Sequence, residues 1–180
     1  IDDIEAGFYV KEDGRVNPVD VTMALAKGAR QRGVRILEGV AALGVTQHRG
    51  RVTGVRTAQG SVQCEYVVNC AGMWARQFGA LAGVCIPNQA AEHYYLITEA
   101  IRDLPAAMPV LEDPGCYGYY RQEGAGLMVG LFEPVCAPWR VEGIPEDFSF
   151  GELPPDWERM LPFLERALSR VPVTAEVGMK

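Results

Sequence analysis

The stretch that decides the fold is residues 66–74, Tyr66-Val67-Val68-Asn69-Cys70-Ala71-Gly72-Met73-Trp74. Its first three residues form an unbroken apolar run of the kind found in a strand buried on both faces. Small residues then separate it from Met73 to Leu81, where Trp74, Phe78 and Leu81 recur at helical spacing and Gly83 supplies a stop. A strand, a small-residue bend and a helix belong to an α/β arrangement, and Cys70, Ala71 and Gly72 leave the backbone open to a flat ligand at the bend. A tight strand-to-helix turn explains the small residues equally well. Trp74 on an apolar face reads first as core.

Upstream, Asn17, Pro18 and Asp20 read as N-cap, N1 and N3 of a helix. Val21, Ala24, Leu25, Gly28 and Ala29 form its apolar face, Lys27, Arg30 and Arg32 place cations where the dipole favours them, and Gly33 ends it. Short strands are expected over 35–37, 42–47 and 51–57, the last two joined through His48-Arg49-Gly50. A turn at Gln59-Gly60 then leads into a strand over 62–69.

Downstream, from Ile86, the texture is β. Strands over 93–98, 110–112, 117–121 and 127–132, separated by Asp113-Pro114-Gly115 and by Glu123 to Gly126, predict an antiparallel sheet. Residues 137–154 are irregular. Residues 155–169 read as a helix broken or kinked at Pro162, with Trp157, Leu161, Leu164 and Leu168 inward. The fold class is α/β, in the broad α+β sense.

With 48% apolar residues among 180, the chain can bury a sizeable core. Its net charge of −6, from 17 Lys and Arg against 23 Asp and Glu, lacks the positive field that nucleic acid or an anionic membrane attracts. No apolar run approaches the roughly 18 residues of a membrane span. The five cysteines contain no CxxC pair, and with only two histidines beside them a structural zinc site is not expected. Read as reduced thiols, they point to a cytoplasmic compartment, or the mitochondrial matrix in a eukaryote. The opening IDDIEAGFYV and the closing EVGMK read as the edges of a piece of a longer protein.

GxxxxGK[ST], HExxH and GxSxG do not occur, so nucleotide hydrolysis, zinc proteolysis and serine-hydrolase chemistry have no local support. Gly124-Ala125-Gly126 with Gly130 has GxGxxxG spacing between two strands and reads as a hairpin turn. His93 and Tyr95 share one face of their strand and Tyr94 takes the other. An imidazole suits proton traffic at neutral pH, although a hydrogen-bonded structural His fits the same pattern. Tyr117, Tyr119 and Arg121 alternate onto one face, where a phenol beside a guanidinium can hold an acid and join a His in a hydrogen-bond network. Tyrosines also favour strands for packing alone. His48, in a hairpin turn, reads as solvated.

With these pieces located, the sequence resembles the dimethylglycine and sarcosine dehydrogenase group of FAD-dependent amine oxidoreductases, in the D-amino-acid-oxidase-like superfamily. The stretches that carry the resemblance are FYVKEDGRVNPVDVTMALAKGARQRGVRILEGV, GVRTAQGSVQCEYVVNCAGMWARQFGALAGV, EHYYLITE, GYYRQEGAGLMVGLFEP and DFSFGELPPDWERMLPFLERALSRVPV. Together they span nearly the whole chain in order.

The resemblance implies that 1–83 form part of a Rossmann-like FAD-binding domain and 84–153 an antiparallel-sheet substrate domain, with 154–180 a helix returning toward the FAD-binding domain. It implies FAD contacts at Ala42, Cys70, Ala71, Gly72 and Trp74, with Ala42 standing where the family more often has Val. His93 and Tyr119 match the family's substrate-site His and Tyr, and Arg121 is the candidate carboxylate anchor. The implied reaction is oxidative demethylation of an N-methylated glycine, with oxygen or an electron-transfer flavoprotein as acceptor and no nucleic-acid or membrane partner. Some members attach the flavin covalently through an upstream His, and some carry a module for tetrahydrofolate; this sequence holds neither. The GxGxxG loop that holds the FAD pyrophosphate is also missing, so tight FAD binding by these 180 residues is not expected. A regulatory relative, similar to the regulatory subunit of pyruvate dehydrogenase phosphatase, shares the NCAG.WA and EH.YLLT textures and is the non-catalytic alternative.

Overall fold

Two helix stops and two hairpin turns set the frame of the first of two units, Pro18–Ala91 with Pro138–Gly151. The computed structural model describes residues 2–105 and 107–180. Helix α1 spans Pro18–Gln31. Gly33, at φ 85°, closes it, with Val34 N–H donating to Ala29 O at 3.1 Å and Gly33 N–H to Arg30 O at 3.0 Å. That pair of bonds is the Schellman arrangement, and glycine takes the left-handed backbone it needs without strain.

Strands β1 (Ala42–His48), β2 (Arg51–Thr57) and β3 (Gly60–Gln63) form an antiparallel meander in that order. Arg49 and Gly50 both have positive φ, 49° and 75°, as a two-residue type I′ hairpin requires. His48 lies exposed at the end of β1. A single 3-10 turn over Gly72–Trp74 leads into helix α2, Ala75–Leu81, which a second Schellman pair ends at Gly83.

Two expectations for this unit fail. Residues 35–37 form no strand, and the strand expected over 62–69 stops at Gln63, leaving Tyr66 and Val68 more than four-fifths exposed. A strand exists only through its ladder, and no described strand pairs with 64–70. The apolar face of α1 is likewise uncovered: no α1 residue is buried, and Leu25 is 70% exposed.

The second unit joins residues up to Asn17 with Glu92–Ala137 and Glu152–Lys180. Its four strands, β4 (Tyr95–Ile97), β5 (Leu111–Asp113), β6 (Gly118–Glu123) and β7 (Gly126–Leu131), form an antiparallel sheet ordered β4-β7-β6-β5. The β6–β7 hairpin turns through Gly124 and Ala125. Gly124 takes φ 60° at the first loop position, so the glycine-rich segment is a tight turn.

Helix α3, Trp157–Arg170, covers one face of this sheet. Asp156 caps it, accepting from Arg159 N–H at 3.1 Å, while Pro162 inside the helix removes the donor that would reach the Glu158 carbonyl. Tyr94, Leu96, Tyr120, Val129 and Leu131 from the sheet pack with Met160, Leu164 and Ala167 to form the core. Tyr120 is fully buried, and its Oη donates to Ala167 O at 2.7 Å.

The inward face of α3 is rotated from the sequence reading. Trp157 and Leu161, expected inward, are each 49% exposed, and Met160 and Ala167 take their place. Two overlapping stripes share Leu164, and the small Ala167 wins because Gly118 and the Tyr120 hydroxyl lie against it. None of the helices among the described residues is long and apolar enough to cross a membrane.

Candidate functional site

The face of the four-stranded sheet opposite α3 carries an open cluster of ring side chains. Strand alternation places Tyr95, Gly130 and Tyr119 in one cross-strand row. His93 lies two residues before the start of β4, and Phe132 directly follows β7. The Tyr119 Oη and His93 Nε2 are 3.4 Å apart. Phe132 stacks on His93 with ring centroids 5.7 Å apart and lies tilted against Tyr119 at 4.8 Å. The structure therefore brings together the imidazole and the phenol that the sequence singled out. Phe132, which it did not single out, shares their face by its period-two spacing from Gly130.

Burial pushes the Tyr119 phenol above its ordinary value, with the positive charge of Arg121 opposing the shift. The phenol is a proton donor through the neutral range. Phe132 supplies the apolar contact on one side, whereas His93 is exposed and can exchange protons with water.

Arg121 follows Tyr119 onto the same face, as the alternation requires. Its Nη2 pairs with Glu123 Oε2 at 3.0 Å, and its Nε lies 3.2 Å from Met128 Sδ. Tyr117 departs from the expectation that it shares this face. Its φ of 58° breaks the alternation before β6 begins, and its ring meets Phe163 of α3 edge-on at 5.5 Å, on the covered side.

Behind His93, the neighbouring residues are fastened to α3. Glu92 Oε2 accepts from Tyr94 Oη and from Arg159 Nη2, both at 2.8 Å, and the Arg159 guanidinium lies over the Tyr94 ring. Sequence reasoning missed this clamp, since Glu92 and Arg159 are 67 residues apart and neither pattern predicts their meeting.

In the other unit, Asn69 organises the small-residue bend. Its Nδ2 donates to Ala75 O at 2.9 Å and its Oδ1 accepts from Ala71 N–H at 3.2 Å. Gly72 takes φ 54°, and a Cβ there would meet nothing within 4 Å. The glycine is therefore required by backbone conformation, and the space above it is open. Cys70, Gly72 and Ala42 are exposed, Ala71 is half-buried, and Trp74 is half-buried with its Nε1 donating to Pro145 O at 3.3 Å. Accessible backbone beside a positive-φ glycine fits close approach by a planar group such as a flavin.

The family profile described as FAD dependent oxidoreductase matches residues 1–179. The chain belongs to this FAD-dependent oxidoreductase family. It is 37% identical over its whole length to human mitochondrial sarcosine dehydrogenase, covering 20% of that protein. It is 38% identical, over 97% of its length, to the formaldehyde-forming 4-methylaminobutanoate oxidase of Paenarthrobacter nicotinovorans, covering 21% of it. It is also 36% identical, over 96% of its length, to the mouse mitochondrial pyruvate dehydrogenase phosphatase regulatory subunit, covering 20%. The chain thus spans about a fifth of these curated relatives. Among solved structures, L-proline dehydrogenase from P. horikoshii shares the fold at a TM-score of 0.70 and 22% identity, over 91% of this chain and 41% of that one.

Proposed function

We propose that this FAD-dependent oxidoreductase chain belongs to an enzyme that oxidises the C–N bond of an N-methylated amino acid, an oxidative demethylation. The observation that carries the reading is the Tyr119 Oη to His93 Nε2 approach on the open sheet face. The similarity to sarcosine dehydrogenase and 4-methylaminobutanoate oxidase supports the substrate class.

The flavin, when bound, takes up the hydride from the carbon next to nitrogen. A protonated amine has no lone pair to assist that loss, so the chain must first remove its proton. Tyr119, kept neutral by burial, can accept a proton from the ammonium at Oη while passing its own to His93 Nε2. His93, being exposed, then releases it to water. Arg121, two residues along the same face, orients the substrate carboxylate with the donors that Glu123 does not occupy. Ala42, Cys70, Ala71, Gly72 and Trp74 would hold the flavin, with Asn69 setting the shape of the bend at 70–72.

The uncovered face of α1 and the unpaired run at Tyr66 to Val68 support a further part of this reading. In a longer chain they pack against segments beyond these 180 residues, as does a sheet that extends past β3.

The test is anaerobic addition of sarcosine, dimethylglycine or 4-methylaminobutanoate to the full-length FAD-loaded protein. Loss of the flavin absorption band with one of them is expected. A flavin band that survives all three, together with capture of a phosphatase subunit, would give the regulatory relative the better claim.

A further inference from the structure

We propose that Gly130 is the positioning residue that lays Tyr119 down toward His93, an inference that rests on the proton path through those two residues. Gly130 lies in the middle of β7, the strand hydrogen-bonded to both β4 and β6, and pairs with Tyr95 on one side and Tyr119 on the other. A glycine inside a central strand has no side chain to pack and weakens the strand unless something approaches its backbone closely. Here the phenol of Tyr119 does so. A Cβ built on Gly130 would fall inside the Tyr119 ring, against Cζ, Cε1 and Oη at once.

The ring therefore lies across the backbone of residue 130 instead of standing off the sheet. That posture carries Oη sideways to within 3.4 Å of His93 Nε2 and sets the ring face against Phe132. Any side chain at 130 must lift the phenol. The backbone of Gly130 has no positive φ, so its conformation accepts alanine and the ring alone forbids it. The opposite face shows the contrast. Gly118 makes room for the hydroxyl of Tyr120, but that tyrosine is sealed under α3 and serves the core.

The experiment measures the rate of flavin reduction against pH in the full-length FAD-loaded enzyme, for wild type, Gly130→Ala, Tyr119→Ala and the double variant. The new methyl should slow reduction roughly tenfold or more near neutral pH, with the loss shrinking at high pH, where the amine gives up its proton unaided. It should cost nothing further in the Tyr119→Ala background, because no ring remains to displace. Normal rates in Gly130→Ala beside a slow Tyr119→Ala would overturn the role of Gly130 alone. So would a loss that is uniform with pH, or one that adds to Tyr119→Ala. An unimpaired Tyr119→Ala would instead sink the proton path and the Gly130 role with it. Should Gly130→Ala fail to take up FAD, the double variant decides: recovery upholds action through the ring, and continued failure refutes it.

Discussion

Glu92 and Arg159 meet at 2.8 Å and tie the start of β4 to helix α3. Because Glu92 also accepts from Tyr94 Oη, the residues on either side of His93 are held from the covered face of the sheet while His93 projects from the other. The clamp fixes the backbone from which the imidazole reaches Tyr119.

Arg159→Met removes one partner and leaves a partly buried carboxylate short of a charge-assisted bond. The expected loss is about 1–3 kcal/mol of stability, read as a lower urea midpoint with an unchanged slope. Replacing Glu92 and Arg159 together by Gln and Met should cost less than the sum of the single changes. Additive losses would show that the two side chains do not act as a pair.

Tyr120 gives a pH test of the core. Burial, first, and the neighbouring Cys116 thiol, second, push its phenol far above the ordinary value. As pH rises past about 10, the unfolded chain loses this proton while the folded chain keeps it, so folding stability falls with pH above that point. Tyr120→Phe should lower stability at neutral pH by about 1–2 kcal/mol by leaving the Ala167 carbonyl without its phenol donor. It should also flatten the decline on the alkaline side. Urea midpoints at neutral and alkaline pH check both effects, and an equally steep alkaline decline in the variant would contradict the assignment.

Gly72→Ala separates the two meanings of the small-residue bend. A Cβ meets no atom there, so the expected cost is the left-handed backbone alone, about 1–2 kcal/mol. If the bend also receives a flavin, the same methyl should weaken FAD uptake by the full-length protein. Unchanged uptake beside the small stability loss would leave the bend as a turn only.

Much of this architecture could be read from the sequence, for reasons that are local. Helix α1 starts at Pro18 as the Asn-Pro signal requires, β2 has the expected bounds, and the antiparallel sheet follows from turn residues at Asp113 to Gly115 and at Gly124. Alternation puts Tyr119 and Arg121 on one face, whereas the pairing of His93 with Tyr119 comes from the family resemblance, and β4 begins only at Tyr95, two residues after His93. What failed depends on partners. The run at Tyr66 to Val68 has the composition of a strand but no described neighbour to pair with, and Tyr117 leaves its expected face through a positive φ that composition does not announce. The Glu92–Arg159 clamp and the seat that Gly130 offers Tyr119 are long-range events. A one-dimensional pattern records neither.

FAD titration of the 180-residue chain tests the proposed cofactor contacts. The bend leaves its backbone exposed, but the sequence contains no glycine-rich pyrophosphate loop, so affinity weaker than about 1 μM is expected by fluorescence quenching. Stoichiometric binding well below that concentration would mean that these residues hold the cofactor unaided.

The most direct measurement is the pH dependence of flavin reduction by an N-methyl amino acid in the full-length enzyme, comparing wild type with His93→Ala. The account predicts a loss of about 100-fold near neutral pH that fades toward about pH 10, where the free amine needs no acceptor. Superimposable pH profiles for the two proteins would contradict it.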